Sequence, residues 1–196
     1  MDTLLGLCVG LGLAAACGFR VFVPLLVLGL GARAGLVSLG ESVSFVSSTP
    51  ALIALGTASV LEMAAYWIPW VDHALDTVAS PAAVVGGTLA AASQFGDMGP
   101  FLTWGSALVA GGGTAAAAQA LNVTTRGAST VTTGGILNPI ISAIQSAIAA
   151  VLSVLAVIAP IIAGCLLLAV VAMVVAWWRR RGATTNRRIG ARAAAA

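Results

Sequence analysis

Charged side chains are so sparse along this chain that the gaps between them are its first structural signal. Apolar runs occupy residues 3–31, 50–71, 81–96, 100–121, 139–158 and 160–178. A helix needs about 20 apolar residues to cross about 30 Å of hydrocarbon. Each run meets that length or comes near it; 81–96 is short and Gly-rich and can cross with little tilt. Arg20 and Pro24 interrupt the first run, and Glu62 interrupts the second. Proline marks every predicted start but the first. Thr49-Pro50, Ser80-Pro81 and Asn138-Pro139 each place a capping side chain ahead of a proline, and Gly99-Pro100 and Ala159-Pro160 are weaker versions. At the first helical position the missing N–H costs nothing and the fixed φ suits the helix. The pattern predicts an all-α, integral membrane helical bundle of about six transmembrane helices.

Composition strengthens that expectation. The 196 residues are 60% hydrophobic and 8% charged, with a mean hydropathy of +1.06. An ordinary soluble domain carries about 25% charge, so a water-soluble enzyme and a disordered chain are both disfavoured. All nine basic residues are arginine, and six of them (Arg179, Arg180, Arg181, Arg187, Arg188, Arg192) follow the last apolar run. Trp177-Trp178 directly precede them, the order expected of an interfacial aromatic belt and a positive-inside anchor. Residues 1–178 therefore read as a single transmembrane domain, and 179–196 as a disordered, Arg-rich cytoplasmic tail drawn to the lipid bilayer. An even number of spans puts both termini in the cytoplasm. The tail lacks the folded basic face and stacking residues of a nucleic-acid binder, so no nucleic-acid partner is expected. Cys8, Cys17 and Cys165 lie in apolar runs without ligand spacing and read as small hydrophobes. The stretch from Thr3 lacks a basic flank and is too long for a signal segment, so it reads as a retained span.

Residues 10–16 (Gly-Leu-Gly-Leu-Ala-Ala-Ala) are echoed at 111–117 (Gly-Gly-Gly-Thr-Ala-Ala-Ala). The echo allows two inverted three-helix repeats, 3–98 and 99–178, with a broken first helix in each, an arrangement met in secondary transporters. Small residues also recur wherever membrane helices pack closely, so both explanations stand at this point.

Ionisable groups inside the apolar runs are the candidate chemistry. Pro24 cannot donate to the Arg20 carbonyl, so a guanidinium and a released acceptor share one depth. Either the helix is broken there and faces protein or water, or Arg20 snorkels to the outer interface. Glu62, mid-span, must be paired, protonated or wetted. Glu62, Tyr66, Pro69, His73 and Asp76 would share one helical face if the helix ran through Pro69, with Arg20 and Arg126 as candidate counter-ions. Asp72, His73 and Asp76 would then form a cytoplasmic mouth. Their oxygen and imidazole donors are too few for a metal to be expected, though a proton relay through Glu62 and His73 is conceivable. A second polar concentration runs from Thr124 and Thr125 through Arg126, Ser129, Thr130, Thr132 and Thr133 to Gly134-Gly135 and Asn138. It is expected to be a re-entrant or cavity-lining segment, or else a plain polar loop. Asn122-Val123-Thr124 matches a glycosylation sequon but would face the cytoplasm. Hydroxyls are plentiful, but no Ser/His/Asp grouping or HExxH motif is present, so no enzyme activity and no cofactor are expected.

Three blocks together resemble a family of small bacterial multi-pass membrane proteins known as a domain of unknown function. They are Gly18-Phe19-Arg20 through Pro24; Ile68-Pro69-x-Val71-Asp72-His73-x-Leu75-Asp76 with Pro81; and Arg126 through Ser129-Thr130-x-Thr132-Thr133-Gly134-Gly135 to Asn138-Pro139-x-x-Ser142. The resemblance implies a multi-pass fold in the bacterial inner (plasma) membrane and no established activity. It adds Ser142 and Gln145 to the polar segment. Tyr66-Trp67 stand where the family tends to have an Asp-Lys pair, and Gln145 where it tends to have an acid.

The functional expectation is a small-solute or ion transporter or channel. Arg20, Glu62, Arg126 and Tyr66 would line its polar cavity, and Glu62→Gln with Arg20→Leu would abolish flux while leaving the fold intact. The alternative is a structural or assembly subunit of a membrane complex, with Gly6/Gly10 and Gly31/Gly35 as helix-docking faces; a homo-oligomer is allowed by either. A lipid-acting enzyme ranks third, because only Asp72, His73 and Asp76 could supply its acid and base.

Overall fold

Residues 3–17 contain neither proline nor charge, and they form one helix, α1 (Thr3–Cys17). The computed structural model describes residues 3–65, 69–95, 99–173, 175 and 176, with 69–76 as backbone alone. After α1 come α2 (Phe22–Arg33), a 3-10 turn (Glu41–Ser47), α3 (Thr49–Ala65) and α4 (Pro69–Ala92). Next are α5 (Pro100–Ser106), a π turn (Ala107–Gly112), α6 (Gly113–Thr133) and α7 (Asn138–Ile158), then α8 (Pro160–Met173). The fold is all-α, with no strand among the described residues.

The chain forms two units that divide after Gly164. In the first, α1 is the hub and packs against α4, α6, α7 and α2. Its apolar residues Val9, Leu13 and Cys17 form the core with Leu25 and Leu28 of α2. Glycine lets helices approach where a side chain would collide: a Cβ on Gly87 of α4 would stand 2.8 Å from the Gly111 carbonyl oxygen in the π turn. In the second unit the described residues are helical and expose Leu168, Val170, Val171 and Met173.

Several helices are apolar outside and polar inside. α7 buries Ser142, Gln145 and Ser153 while Ile140, Ile144, Val151 and Ile158 are exposed. α6 buries Gln119, Asn122, Arg126 and Ser129 at spacings of three and four. α3 buries only Leu52, Ser59 and Glu62 and exposes Ile53, Val60 and Leu61. A water-soluble helix has the opposite polarity. Among the described residues, α7 is by itself long and apolar enough to cross a bilayer. The 3-10 turn and α3, bent by 65° at their junction, pass the same test only as a single span.

Four sequence expectations are corrected. Ser80-Pro81 starts no helix: Pro81 lies inside α4. An internal proline costs about 3 kcal/mol, and α4 bears it because its later turns are clamped against α1 and the π turn. The polar stretch 124–133 is not a loop but the last turns of α6, which stops at Gly134 in the left-handed region, φ 64°. Its threonines do not break the helix because their hydroxyls bond carbonyls four residues back, as Thr124 does to Ala120 (2.7 Å) and Thr125 to Leu121 (2.8 Å). A broken first helix in each half is not found either: residues 18–21 are unwound in the first half, whereas 100–133 in the second run on as α5, the π turn and α6. Finally, the start at Pro50 holds but its cap lies one residue earlier: Ser48 Oγ accepts from the Ala51 N–H (3.3 Å). The Thr49 hydroxyl accepts from Arg33 instead (2.6 Å).

Candidate functional site

Gly18, Phe19, Arg20 and Val21 form the break between α1 and α2. The N–H groups of Gly18, Phe19 and Arg20 turn back to the Ala15 and Ala16 carbonyls (3.0–3.2 Å) and finish α1. Gly18 is required by proximity to α6, because a Cβ there would stand 2.5 Å from the Ala115 carbonyl oxygen and 2.9 Å from the Gln119 nitrogen. The next helix opens at once. The first N–H groups of a helix lack internal partners, and here Glu62 supplies them from α3. One carboxylate oxygen accepts from Val21 N–H (3.0 Å) and the other from Phe22 N–H (3.3 Å). A carboxylate at a helix N-terminus also meets the positive end of the macrodipole. Pro24, in the first turn of α2, has no N–H to be satisfied there.

Arg20 reaches the other way. Its side chain is 1% exposed; Nε donates to Ser146 Oγ (2.9 Å), and Nη2 donates to the Ser142 carbonyl (3.0 Å) and Ser142 Oγ (2.5 Å). Arg20 thus fastens the break to α7 while Glu62 fastens it to α3. The cation is buried and does not snorkel.

Arg126 is 2% exposed on the inward face of α6, where Thr130 donates to its carbonyl (3.0 Å). The polar segment expected to line a cavity divides. Thr132 and Thr133 bond the Ala128 and Ser129 carbonyls (both 2.8 Å), and Ser129 and Thr133 hydroxyls meet at 3.4 Å. The Asn138 amide donates to Thr130 (3.1 Å) and does not cap α7. Ser142 and Gln145 are buried, as Ser129 is. Tyr66 lies outside the described residues, as do the side chains of Asp72, His73 and Asp76 and the whole tail 179–196. The stripe from Glu62 to Asp76 therefore falls partly outside the description. Among the described residues no group of three or more His, Cys, Asp or Glu could hold a metal.

Sequence reasoning missed Gln119, Asn122 and Ser146. Asn122 Nδ2 donates to the Phe19 carbonyl in the break (3.5 Å) and to Gln119 Oε1 (3.2 Å). It is 2% exposed, which removes the sequon as a glycosylation site. The signal was available in the spacing 119, 122, 126, 129, a polar stripe at helical period. Four amide atoms of α6 and α7, Gln119 Nε2, Asn122 Oδ1, Asn138 Oδ1 and Gln145 Oε1, are buried with no hydrogen-bond partner among the described residues. A cavity of about 230 Å³ lies beside two of them, bounded by Phe19 of the break, Leu121, Asn122 and the sequence-predicted Thr125 of α6, and Ile141, Ile144, Gln145 and Ile148 of α7. On the other side of α6, Gln119 borders a groove of about 560 Å³ against Ser80, Pro81 and Val84 of α4.

Chemically, the break is a braced frame: anion on backbone amides, cation on hydroxyls and a carbonyl. The α6–α7 side offers neutral amides with open bonding positions. Residues 7–180 match a family described as a domain of unknown function, DUF4126, and the chain belongs to that family. No curated protein and no solved structure matches the chain.

Proposed function

We propose that this DUF4126 protein is an integral membrane helical bundle that passes a small solute or ion through the polar region where the α1–α2 break meets α6 and α7. The observation that carries the reading is the unwound Gly18–Val21 segment, seated against the inward polar faces of α6 and α7, the latter faced outward with isoleucine and valine. Non-helical backbone at membrane depth is tolerated where protein or a water-filled cavity surrounds it, and discontinuous helices line the binding sites of many secondary transporters. The outward apolar faces of α3 and α7 support the bilayer as surroundings. On this reading the short α1 and α2, about 22 and 18 Å long at 1.5 Å per residue, together make one interrupted span.

The test is reconstitution of the full chain in liposomes and measurement of uptake over a panel of small neutral solutes and monovalent ions. Uptake above protein-free vesicles, lost in Arg20→Leu that still purifies as a folded protein, supports the reading. Permeability equal to empty vesicles across the panel overturns it.

A second reading has its own observation. Both oxygens of Glu62 and three described donor contacts of Arg20 go to the protein frame, which is what a structural or assembly subunit needs. Recovery of a stoichiometric larger complex in mild detergent favours that reading.

A further inference from the structure

The geometry points to a ligand site in the α6–α7 cavity that takes an uncharged, largely apolar molecule bearing a hydroxyl or other neutral hydrogen-bond donor. This inference does not rest on transport, since a site can be occupied in a protein that moves nothing.

Shape and size come first. The cavity of about 230 Å³ is walled by Phe19, Leu121, Ile141 and Ile144, with the amides of Asn122 and Gln145 among its lining. Small-molecule sites have this composition, an apolar wall with a few placed polar groups. An apolar cavity of about 150 Å³ holds benzene, whereas one water takes roughly 30 Å³. A water on the amides would leave most of this space without a partner. Leu121 and Ile144 are 54% and 55% exposed, so the walls reach the apolar outer surface and an apolar molecule can come in between α6 and α7.

The amides then set the polarity of the occupant. Asn122 and Gln145 are 2% and 5% exposed, and Asn122 Oδ1 and Gln145 Oε1 lack partners among the described residues. Asn122 cannot be turned around without cost, because its Nδ2 faces two acceptors, the Phe19 carbonyl and Gln119 Oε1. The open position that these bonds hold in place, Asn122 Oδ1, is an acceptor, so it calls for a donor and repels an anion. Cations are disfavoured as well. Arg20 is bonded to Ser142 and Ser146, which flank Gln145 on α7, and Arg126 lies one turn beyond Asn122 on α6. What remains is a neutral donor on an apolar body. Such a donor would relieve the burial cost of an unsatisfied acceptor.

The chemistry could come from a membrane lipid with a free hydroxyl or from a soluble phenol-like molecule, and the experiment separates them. Delipidated full-length protein in detergent is titrated calorimetrically with 4-propylphenol, propylbenzene and 4-propylanisole. The Asn122→Leu/Gln145→Leu double variant in the same detergent serves as the reference, so micelle partitioning cancels. The phenol is expected to bind wild type about tenfold more tightly than the arene or the ether, the weight of one buried hydrogen bond. The double variant is expected to bind all three alike. Equal affinities in wild type, no binding of any probe, or a phenol preference that survives in the double variant each overturns the proposal. If the double variant does not fold, Gln145→Leu alone is used, with a reduced preference expected and an unchanged one decisive against. Lipid extracted from gently purified wild type identifies the source: a hydroxyl-bearing apolar lipid retained by wild type and lost from the variant points to the bilayer. Phenol binding without such a lipid supports the site with a soluble ligand.

Discussion

Two regions that touch at Phe19 and Asn122 handle polarity in opposite ways. At the α1–α2 break, Glu62 and Arg20 are deeply buried, and their charges are spent on Val21, Phe22, Ser142 and Ser146. Along the α6–α7 seam, Gln119, Asn122 and Gln145 are just as buried but carry no charge, and each keeps an atom with no partner among the described residues. A buried charge is so costly that a fold must brace it, and a charge held by the frame on several sides has less to offer a visitor. A buried neutral amide costs far less to leave half-satisfied, so it can remain open for a ligand. The difference teaches that the residues most conspicuous in an apolar sequence are here the frame, and the quieter ones are the better candidates for recognition.

Removing the brace tests the first half of that contrast and should give the largest effects. Arg20→Leu strips the break of its anchor to α7 and leaves Glu62 without its nearby cation; breaking a buried charge arrangement costs about 3–5 kcal/mol. Thermal unfolding of the detergent-solubilised protein is expected to show the loss, and a variant as stable as wild type would mean that Arg20 braces nothing. Glu62 should grade by its cap. Glu62→Ala orphans the Val21 and Phe22 N–H groups and is expected to cost about 2–3 kcal/mol, whereas Glu62→Gln keeps one acceptor oxygen and should cost about half as much. Equal losses in Ala and Gln variants would show that charge, not capping, is what α2 needs.

Close approach at the break ranks next. Gly18→Ala forces a methyl toward the Ala115 carbonyl, backbone that cannot swing aside, and overpacking of this kind costs about 1–3 kcal/mol. Gly127, on the exposed side of the same α6, has nothing within 4 Å of a built Cβ, and Gly127→Ala should be neutral or raise stability by up to about 1 kcal/mol. Measured side by side by the same unfolding assay, the two substitutions should differ in sign. If both destabilise alike, helix flexibility rather than contact governs α6.

Much of the break was legible before any coordinates. A guanidinium four residues ahead of Pro24 in an apolar run predicts an interruption, and α1 and α2 are separated there. Pro139 and Pro50 sit at helix starts for the reason the sequence suggests, fixed φ and no need of an N–H. Pro81 misled because local chemistry says nothing of the packing that holds α4 together on both sides. The threonines of residues 124–133 misled because in water they compete with helix, while in this helix their hydroxyls fall back on carbonyls one turn earlier. Gln119 and Asn122 were passed over because neutral amides carry no charge to count. Their period becomes visible only when 113–133 is read as one helix.

The smallest expected effect is also the sharpest test of the contrast, because its sign depends on what is bound. In delipidated protein, Gln145→Leu removes a buried acceptor that lacks a partner and replaces it with a side chain of similar size. Deleting such a group relieves its desolvation cost, so the variant should be more stable than wild type by about 1 kcal/mol, or about 2–4 °C in Tm for a chain of this length. A ligand donating to Gln145 Oε1 reverses the balance: wild type gains a hydrogen bond that the leucine cannot make, and ligand binding adds to stability by mass action. The gap in Tm between variant and wild type should therefore shrink or invert when 4-propylphenol is added, and stay put when propylbenzene is added. A leucine variant that is less stable in both states would place Gln145 with Arg20 and Glu62, as part of the frame, and the two regions would no longer differ in kind.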